Sequence, residues 1–211
     1  MIAFCHTMIS VGFVVLCVHC DLLKEFPCFF ELAIYPSVQT FLYIRVSGKY
    51  NTAPGFMKLT EQIAKHFREI HFGGNWTSVN LKESLADVDW QQAITKVYSF
   101  NTIATLVYHT NYYVSAVSKV LKGEALNAKD KYSFDLTPIQ SQQEWEKLLN
   151  KVWDDAENFA TLIEQLPESK LWETFTDEKY GNYYRNIHGI IEHTHYHLGQ
   201  IILIKKLLTK T

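Results

Sequence analysis

Three of the nine histidines in the chain, His193, His195 and His197, fall within five residues of one another. Successive residues of an α-helix are rotated by about 100°, so His193 and His197 share a face while His195 points elsewhere. Two imidazoles at i and i+4 can provide two of the ligands of a metal ion. Because burying adjacent imidazoles is costly unless they share a ligand or a hydrogen bond, this pair is interpreted as two metal ligands. Two hydrogen-bonded core histidines are the alternative.

A third histidine, His109, lies in a separate helical pattern, among residues predicted to face inward. In helix bundles, metal sites are built from inward-facing ligands on facing helices. Three imidazoles with one open coordination position are typical of a catalytic rather than a closed structural site. A donor set of histidines alone suits zinc, nickel, copper or iron. The sequence therefore predicts a metal site made of His109, His193 and His197.

Other residues near these positions are candidates for supporting roles. Each ligating ring needs a partner for its second nitrogen, and the candidates are Thr105, Tyr112, Tyr113 and Gln200. Glu192 is interpreted as an acid that supports a ligand or lies at the surface, rather than as a ligand itself. His188 and His195 are expected at the surface, and His66 and His71 are expected to carry no chemistry. The candidate substrate-binding residues are Trp76, Tyr112, Tyr113, Arg185 and Gln200.

Four long segments with helical spacing of apolar residues must position these side chains. They cover residues 58–72, about 90–122, about 141–167 and about 182–210. Glycines at 73, 74 and 123 end the first two segments, and Ser141 with Glu144 has the form of a capping box that opens the third. No segment shows convincing strand character. The pattern predicts an all-α protein, a four-helix bundle in which longer connections allow one crossover.

Residues 1–56 differ in character from the rest of the chain. The first twenty carry no charged side chain, and all four cysteines, Cys5, Cys17, Cys20 and Cys28, lie within the first 28 positions. The apolar stretch from Ile2 to Cys20 is at the threshold length for a membrane span but lacks the features of a signal peptide. The hypothesis is that Met57 is the native start and that 57–211 is the bundle domain. A membrane anchor or export segment is the alternative.

Charge and cysteine usage limit the classes of function. The net charge is −2 and there is no basic run of the kind that binds phosphates, which argues against nucleic-acid binding. There is no cysteine from Met57 onward, so the body of the chain has no nucleophilic thiol of its own. If Met57 is the start, no segment targets the chain or anchors it in a membrane, and a cytoplasmic location is expected.

The pattern His193-x-x-x-His197-x-Gly199-Gln200-Ile201, with a single His109 midway along an earlier helix, resembles the DinB-like superfamily. The resemblance covers residues 57–211. Two further stretches, Phe72 to Thr77 and Arg185 to Gly189, are similar to an uncharacterised branch of that family. The resemblance implies a four-helix bundle, commonly a homodimer, with a zinc or nickel ion held by His109, His193 and His197. Some members are thiol-dependent S-transferases or isomerases that use bacillithiol, mycothiol or glutathione.

The resulting functional hypothesis is a metal-dependent transferase that joins a small thiol to an electrophile. The absence of cysteine after Met57 fits, because the reactive sulfur would come from a cosubstrate. Arg185 would pair with a carboxylate of either substrate. One alternative is a metal-dependent hydrolase with Glu192 as its base. The other is a bundle without catalysis, in which the metal ties helices together or the protein acts as a binding module.

Overall fold

The structure is a computed structural model that describes residues 57–209. This part of the chain is all-helical, with no β-strand and one isolated bridge between Thr174 and Asn182. The hypotheses about residues 1–56, that they precede the native start or that they form a membrane anchor or export segment, lie outside the described residues, as do the four cysteines. The α-helices of the described part are α1 (Leu59–Phe72), α2 (Leu81–Leu85), α3 (Trp90–Ile94), α4 (Ile103–Leu121), α5 (Gln142–Gln165) and α6 (Tyr183–Leu208).

Short 3-10 turns occupy the connections that follow α4 and α5. They span Asp130–Tyr132, Glu168–Trp172 and Glu178–Tyr180. No helix of the part that the structure describes is long and apolar enough to cross a membrane.

The segment predicted as one helix from Trp90 to about Lys122 is divided into α3 and α4. Helix α3 ends at Ile94, and α4 begins only after Thr102, whose side-chain oxygen accepts a hydrogen bond from the backbone N–H of Thr105 at 3.1 Å. Such a cap satisfies one of the free donors of a helix start. Between the two helices, Tyr98 adopts a positive φ of 50°, which is incompatible with a continuing helix. Ile94, the last residue of α3, is 39% exposed at this break.

The four longest helices pack in a closed order. Helix α5 packs against α1 and α4, while α6 packs against α4 and α1. One core cluster includes Phe67 of α1, Phe159 of α5 and Ile187 of α6, and the other includes Trp145 of α5 and Ile201 of α6. All five of these side chains are fully buried, so α6 is fixed in its rotation by contacts on both sides of the histidine stretch.

Side-chain caps define where the two longest helices, α6 and α5, start. The side-chain oxygen of Asn182 accepts from the backbone N–H of Arg185 at 2.9 Å and opens α6. The Ser141 hydroxyl accepts from the N–H of Glu144 at 3.2 Å at the start of α5, as its predicted cap requires. The Glu144 carboxylate accepts from the N–H of Gln140 rather than from Ser141, so the capping box is only half formed.

Candidate metal centre

Helices α4 and α6 bring His109, His193 and His197 together. The Nε2 atom of His193 lies 3.0 Å from Nε2 of His109 and 3.0 Å from Nε2 of His197. One nitrogen from each ring lies within 4.8 Å of the other two. Tetrahedral zinc with Zn–N bonds of about 2.0–2.1 Å places its nitrogens about 3.3 Å apart, so this spacing fits a shared ion. The three histidines are therefore close enough to bind one metal ion.

Burial keeps the three imidazoles in the form that binds a metal. His109 and His197 are buried and His193 is partly buried. Burial lowers the pKa of His193 to about 4, with further lowering from the positive charge that His197 and His109 would carry. Burial also lowers the pKa of His109 and the pKa of His197. At neutral pH all three rings are uncharged, so their nitrogens can offer lone pairs to a cation.

Gln200 sets the tautomer of His197. Its side-chain Oε1 lies 2.7 Å from Nδ1 of His197, one turn further along α6. An amide oxygen only accepts, so the ring donates from Nδ1 and keeps its lone pair on Nε2. This is the nitrogen that faces His193. Gln200 thus contacts the second nitrogen of a candidate ligand, which is the contact that its predicted supporting role requires.

The connection between α4 and α5 covers His109. The ring of Phe134 stacks on the imidazole with centroids 3.9 Å apart and an angle of 15° between the ring planes. Nδ1 of His109 is buried and has no partner of hydrogen-bond geometry among residues 57–209. The backbone of the fully buried Ser133 nevertheless interacts with this ring and opposes the lowering of its pKa. Stacking against Phe134 restricts the orientation of the His109 ring and therefore the direction of its Nε2 atom.

Two tyrosines tie this connection to α4. The Tyr113 hydroxyl donates to Oδ1 of Asp130 at 2.9 Å, and its ring lies edge-on to His109 and His193 with centroids 5.2 Å and 5.1 Å away. Burial raises the pKa of Tyr113, so the phenol keeps its proton at neutral pH. The Tyr112 hydroxyl accepts from the backbone N–H of Lys129 and donates to its carbonyl. Tyr113 borders the site, whereas Tyr112 supports the connection.

A cavity of about 490 Å³ opens beside His193. Its lining includes Tyr113, Arg185 and His193. The remaining lining residues are Ala116, Val117, Leu126, Ala128, Asp130, Phe175, Tyr180, Asn186, Gly189, Ile190 and Glu192. The volume is in the range of small-molecule sites, and the site contains the predicted residues Tyr113 and Arg185.

A second cavity, of about 530 Å³, lies along α1 and includes Arg68 and Glu164. Its arginine forms ion pairs with Glu157 and Glu164, and no histidine lines this cavity. It therefore offers neither a free guanidinium nor an imidazole ligand. The cavity beside His193 is the better substrate site despite its slightly smaller volume.

The structure places Trp76, His188 and His195 differently from their predictions, whereas the exposure of Glu192 agrees with the surface position considered for it. Trp76 is 98% exposed and does not line the cavity beside His193. His188 and His195, expected at the surface, are partly buried and lie with their ring centroids 6.4 Å and 5.9 Å from that of His66. Glu192 is exposed and its Oε1 lies 3.4 Å from Nδ1 of His188. The expected surface histidines thus form a separate ring cluster between α1 and α6.

Sequence reasoning missed the residues supplied by the connection after α4. Asp130, Ser133 and Phe134 lie in a segment without helical periodicity, so no pattern related them to His109. The available signal in the sequence was a pair of aromatic residues two positions apart, Tyr132 and Phe134, followed by Asp135.

Comparison of the chain with protein-family models, with curated proteins and with solved structures finds no match in any of the three.

Proposed function

We propose that this protein is a divalent-metal-dependent enzyme that transfers a small thiol to an electrophile. The observation that carries the proposal is the convergence of three neutral imidazole nitrogens next to a cavity. Three histidine ligands leave an open position in tetrahedral coordination, which is the arrangement of catalytic sites. The proposed metal is zinc or nickel, both of which accept imidazole ligands.

A divalent metal held by these histidines would lower the pKa of a bound thiol, because a thiol that coordinates a metal ion is deprotonated. The thiolate is the nucleophilic form of sulfur. Its attack forms a carbon–sulfur bond while the leaving group departs with its electron pair, and the thiol proton passes to solvent. The absence of cysteine from residues 57–211 supports an external thiol as the sulfur source.

The residues of the chain would orient the reactants and exclude water. Phe134 and Tyr113 wall the site on the side of the connection after α4. His197 is held by Gln200, so its Nε2 stays directed at the site. Arg185 lines the far part of the cavity and would bind a carboxylate of a substrate.

Two alternatives have less support. A hydrolase needs a general base directed at the metal site. Glu192, the candidate from the sequence, lines the cavity but is exposed, and its Oε1 lies 3.4 Å from Nδ1 of His188 rather than against a candidate ligand. A metal that only ties helices together would not need an adjacent cavity, yet about 490 Å³ of space borders His193. Thiol transfer accounts for both the open position and the cavity.

The family assignment is part of the same proposal. Four long helices, α1, α4, α5 and α6, each pack against two others in a closed order, which supports a four-helix bundle. Two ligands come from α6 and one from α4, as the DinB-like resemblance implies. A homodimeric, cytoplasmic protein is proposed on that resemblance alone.

The test measures metal and activity in the same samples. The full chain is purified, its zinc and nickel are determined by elemental analysis, and conjugation of monochlorobimane is followed by fluorescence with glutathione, bacillithiol and mycothiol in turn. We expect about one metal ion per chain and catalysis with at least one thiol. Removal of metal with a chelator should abolish catalysis, and readdition should restore it.

His197→Ala is the decisive variant, and His188→Ala is its matched control on the same helix. His197→Ala should lose both metal and transfer, whereas His188→Ala should keep both. An active His197→Ala enzyme, or a well-folded wild-type chain without metal, would refute the proposal. Activity that persists without any thiol would instead favour hydrolysis.

A further inference from the structure

A line of cavity-facing positions runs along α6 from the metal site to Arg185. Arg185, Gly189 and His193 are spaced four residues apart and all three line the cavity of about 490 Å³. Residues four apart share a helix face, and eight residues of α-helix span about 12 Å. The cavity therefore offers an elongated path along one face of α6, with the cationic side chain of Arg185 at one end and His193, one of the three candidate ligands, at the other.

Arg185 is held in place but keeps most of its donors. Its Nη1 donates to the carbonyl of Tyr180 at 2.9 Å, and no carboxylate among residues 57–209 forms an ion pair with it. A Cβ on Gly181 would lie 3.0 Å from Cδ of Arg185, so the missing side chain leaves room for the arginine stem. A guanidinium has five N–H donors. The remaining donors can bind a carboxylate in the cavity.

Gly189 keeps the middle of this path open. A Cβ at Gly189 would meet nothing within 4 Å, so a side chain at this position would extend into open space. The space that a side chain would fill is the cavity itself. Gly189 thus leaves a passage between Arg185 and His193.

The walls of the passage also restrict the charge of the ligand. Asp130 and Glu192 line the cavity with carboxylates, while Arg185 is the arginine that lines it. A second anionic group in the middle of the ligand would lie near these acids and be repelled. A single terminal carboxylate, with the rest of the ligand neutral or cationic, fits this distribution.

We propose that the cavity binds an extended molecule with one terminal carboxylate, about the length of a tripeptide, that pairs with Arg185, passes over Gly189 and reaches the metal site at His193. Three extended residues span about 10 Å, which matches the path. The inference deepens the proposed function and rests on it for the metal. It assigns the substrate class of the same site.

The test uses binding rather than turnover. The full chain is loaded with cobalt(II), and changes in its visible absorption report ligand binding. The probes are the tripeptide Cys-Gly-Gly and its C-terminal amide, which differ only in the carboxylate. We expect the acid to bind roughly tenfold more tightly than the amide, as a charge-assisted hydrogen bond provides. Cys-Asp-Gly should bind more weakly than Cys-Gly-Gly.

Three variants locate the effect. Arg185→Gln should remove the preference for the acid without changing cobalt content. Gly189→Leu should weaken both probes by blocking the passage. Gly199→Leu is the matched control, because Gly199 is also inside α6, its Cβ would meet nothing within 4 Å, and it does not line this cavity. This control should bind both probes as the wild type does.

Equal affinity for acid and amide, or a Gly189→Leu variant that binds like Gly199→Leu, would overturn the inference. A second probe pair, His-Gly-Gly and its amide, repeats the comparison with an imidazole in place of the thiol. If no thiol probe binds but the imidazole pair shows the carboxylate preference, the inference stands and thiol transfer fails. If thiols bind without that preference, thiol transfer stands and the inference fails.

Discussion

Nδ1 of His197 lies 2.7 Å from Oε1 of Gln200, and this contact decides which nitrogen of His197 faces the other two histidines. The amide oxygen accepts the ring proton, so Nε2 carries the lone pair. Both residues lie on α6, three positions apart, so helical geometry brings the two side chains within reach of each other. The direction of one candidate metal ligand is thus favoured by local helical structure.

Replacing the amide at this position should weaken metal binding. We expect Gln200→Leu to lower the affinity for zinc by about 10- to 100-fold, because the ring loses the acceptor that fixes its tautomer. Competition with a chromophoric chelator measures this affinity. Gln200→Glu keeps an acceptor and should retain most of it. Equal affinities for the leucine and glutamate variants would contradict the role assigned to Gln200.

Metal should stabilise the packing of α4 against α6. At a free zinc concentration 100 times the dissociation constant, binding to the folded state alone adds about 2.7 kcal/mol to the free energy of unfolding. We expect this gain in urea titrations of the wild type and of His188→Ala, and none in His109→Ala. A zinc-dependent gain that survives in His109→Ala would show that the ion binds elsewhere.

Acid should destabilise the fold through His71. This side chain is buried, its Nδ1 lies 2.9 Å from the Phe67 carbonyl, and burial lowers its pKa from 6.5 to about 4. Between these two values the unfolded chain binds a proton that the folded chain does not, so stability falls as pH falls. Between pH 7 and 5 the loss is about 2 kcal/mol, and it is complete below about pH 4.

The variant that isolates this effect is His71→Leu. We measure the free energy of unfolding in urea with metal removed. Between pH 7 and 5 we expect it to fall by about 2 kcal/mol less in this variant than in the wild type. His66→Leu, on the same helix, serves as the control for loss of a histidine. The same pH dependence in wild type and His71→Leu would disprove the assignment.

Gly199→Ala should make the protein more stable. Gly199 is exposed inside α6, and a Cβ there would meet nothing within 4 Å. Alanine in a helix interior is favoured over glycine by about 1 kcal/mol, and no contact opposes the change. Thermal unfolding of the metal-free chain should show the gain. A loss of stability would mean that this turn of α6 contacts something in the folded protein.

Much of the candidate site follows from local periodicity. His193 and His197 are four residues apart on one helix, so their shared face is fixed by helical geometry alone. His109 lies on another helix, and the apolar residues around it sufficed to predict its inward direction. The structure brings these three together. Local rules succeed here because each ligand direction is set within its own helix.

The parts that could not be predicted depend on contacts distant in sequence or on irregular backbone. Phe134 stacks on His109 from a segment with no period, so only the folded chain relates them. The break before α4 occurs because Thr102 caps a new helix, although the apolar spacing continues on both sides. His195 was expected at the surface, yet α1 packs against α6 and places His66 beside it. Periodicity identifies a helical face but not what covers it.

The separation of the ligands along the chain sets an order of events during folding. His109 and His193 are 84 positions apart, so their nitrogens meet only after the long intervening segment, including α5, has been closed into a loop. Loop closure of this kind carries an entropic cost that precedes any gain from the contact. A metal ion that needs all three rings would therefore be captured late, and its uptake would report the completed docking of α4 and α6 rather than nucleate it.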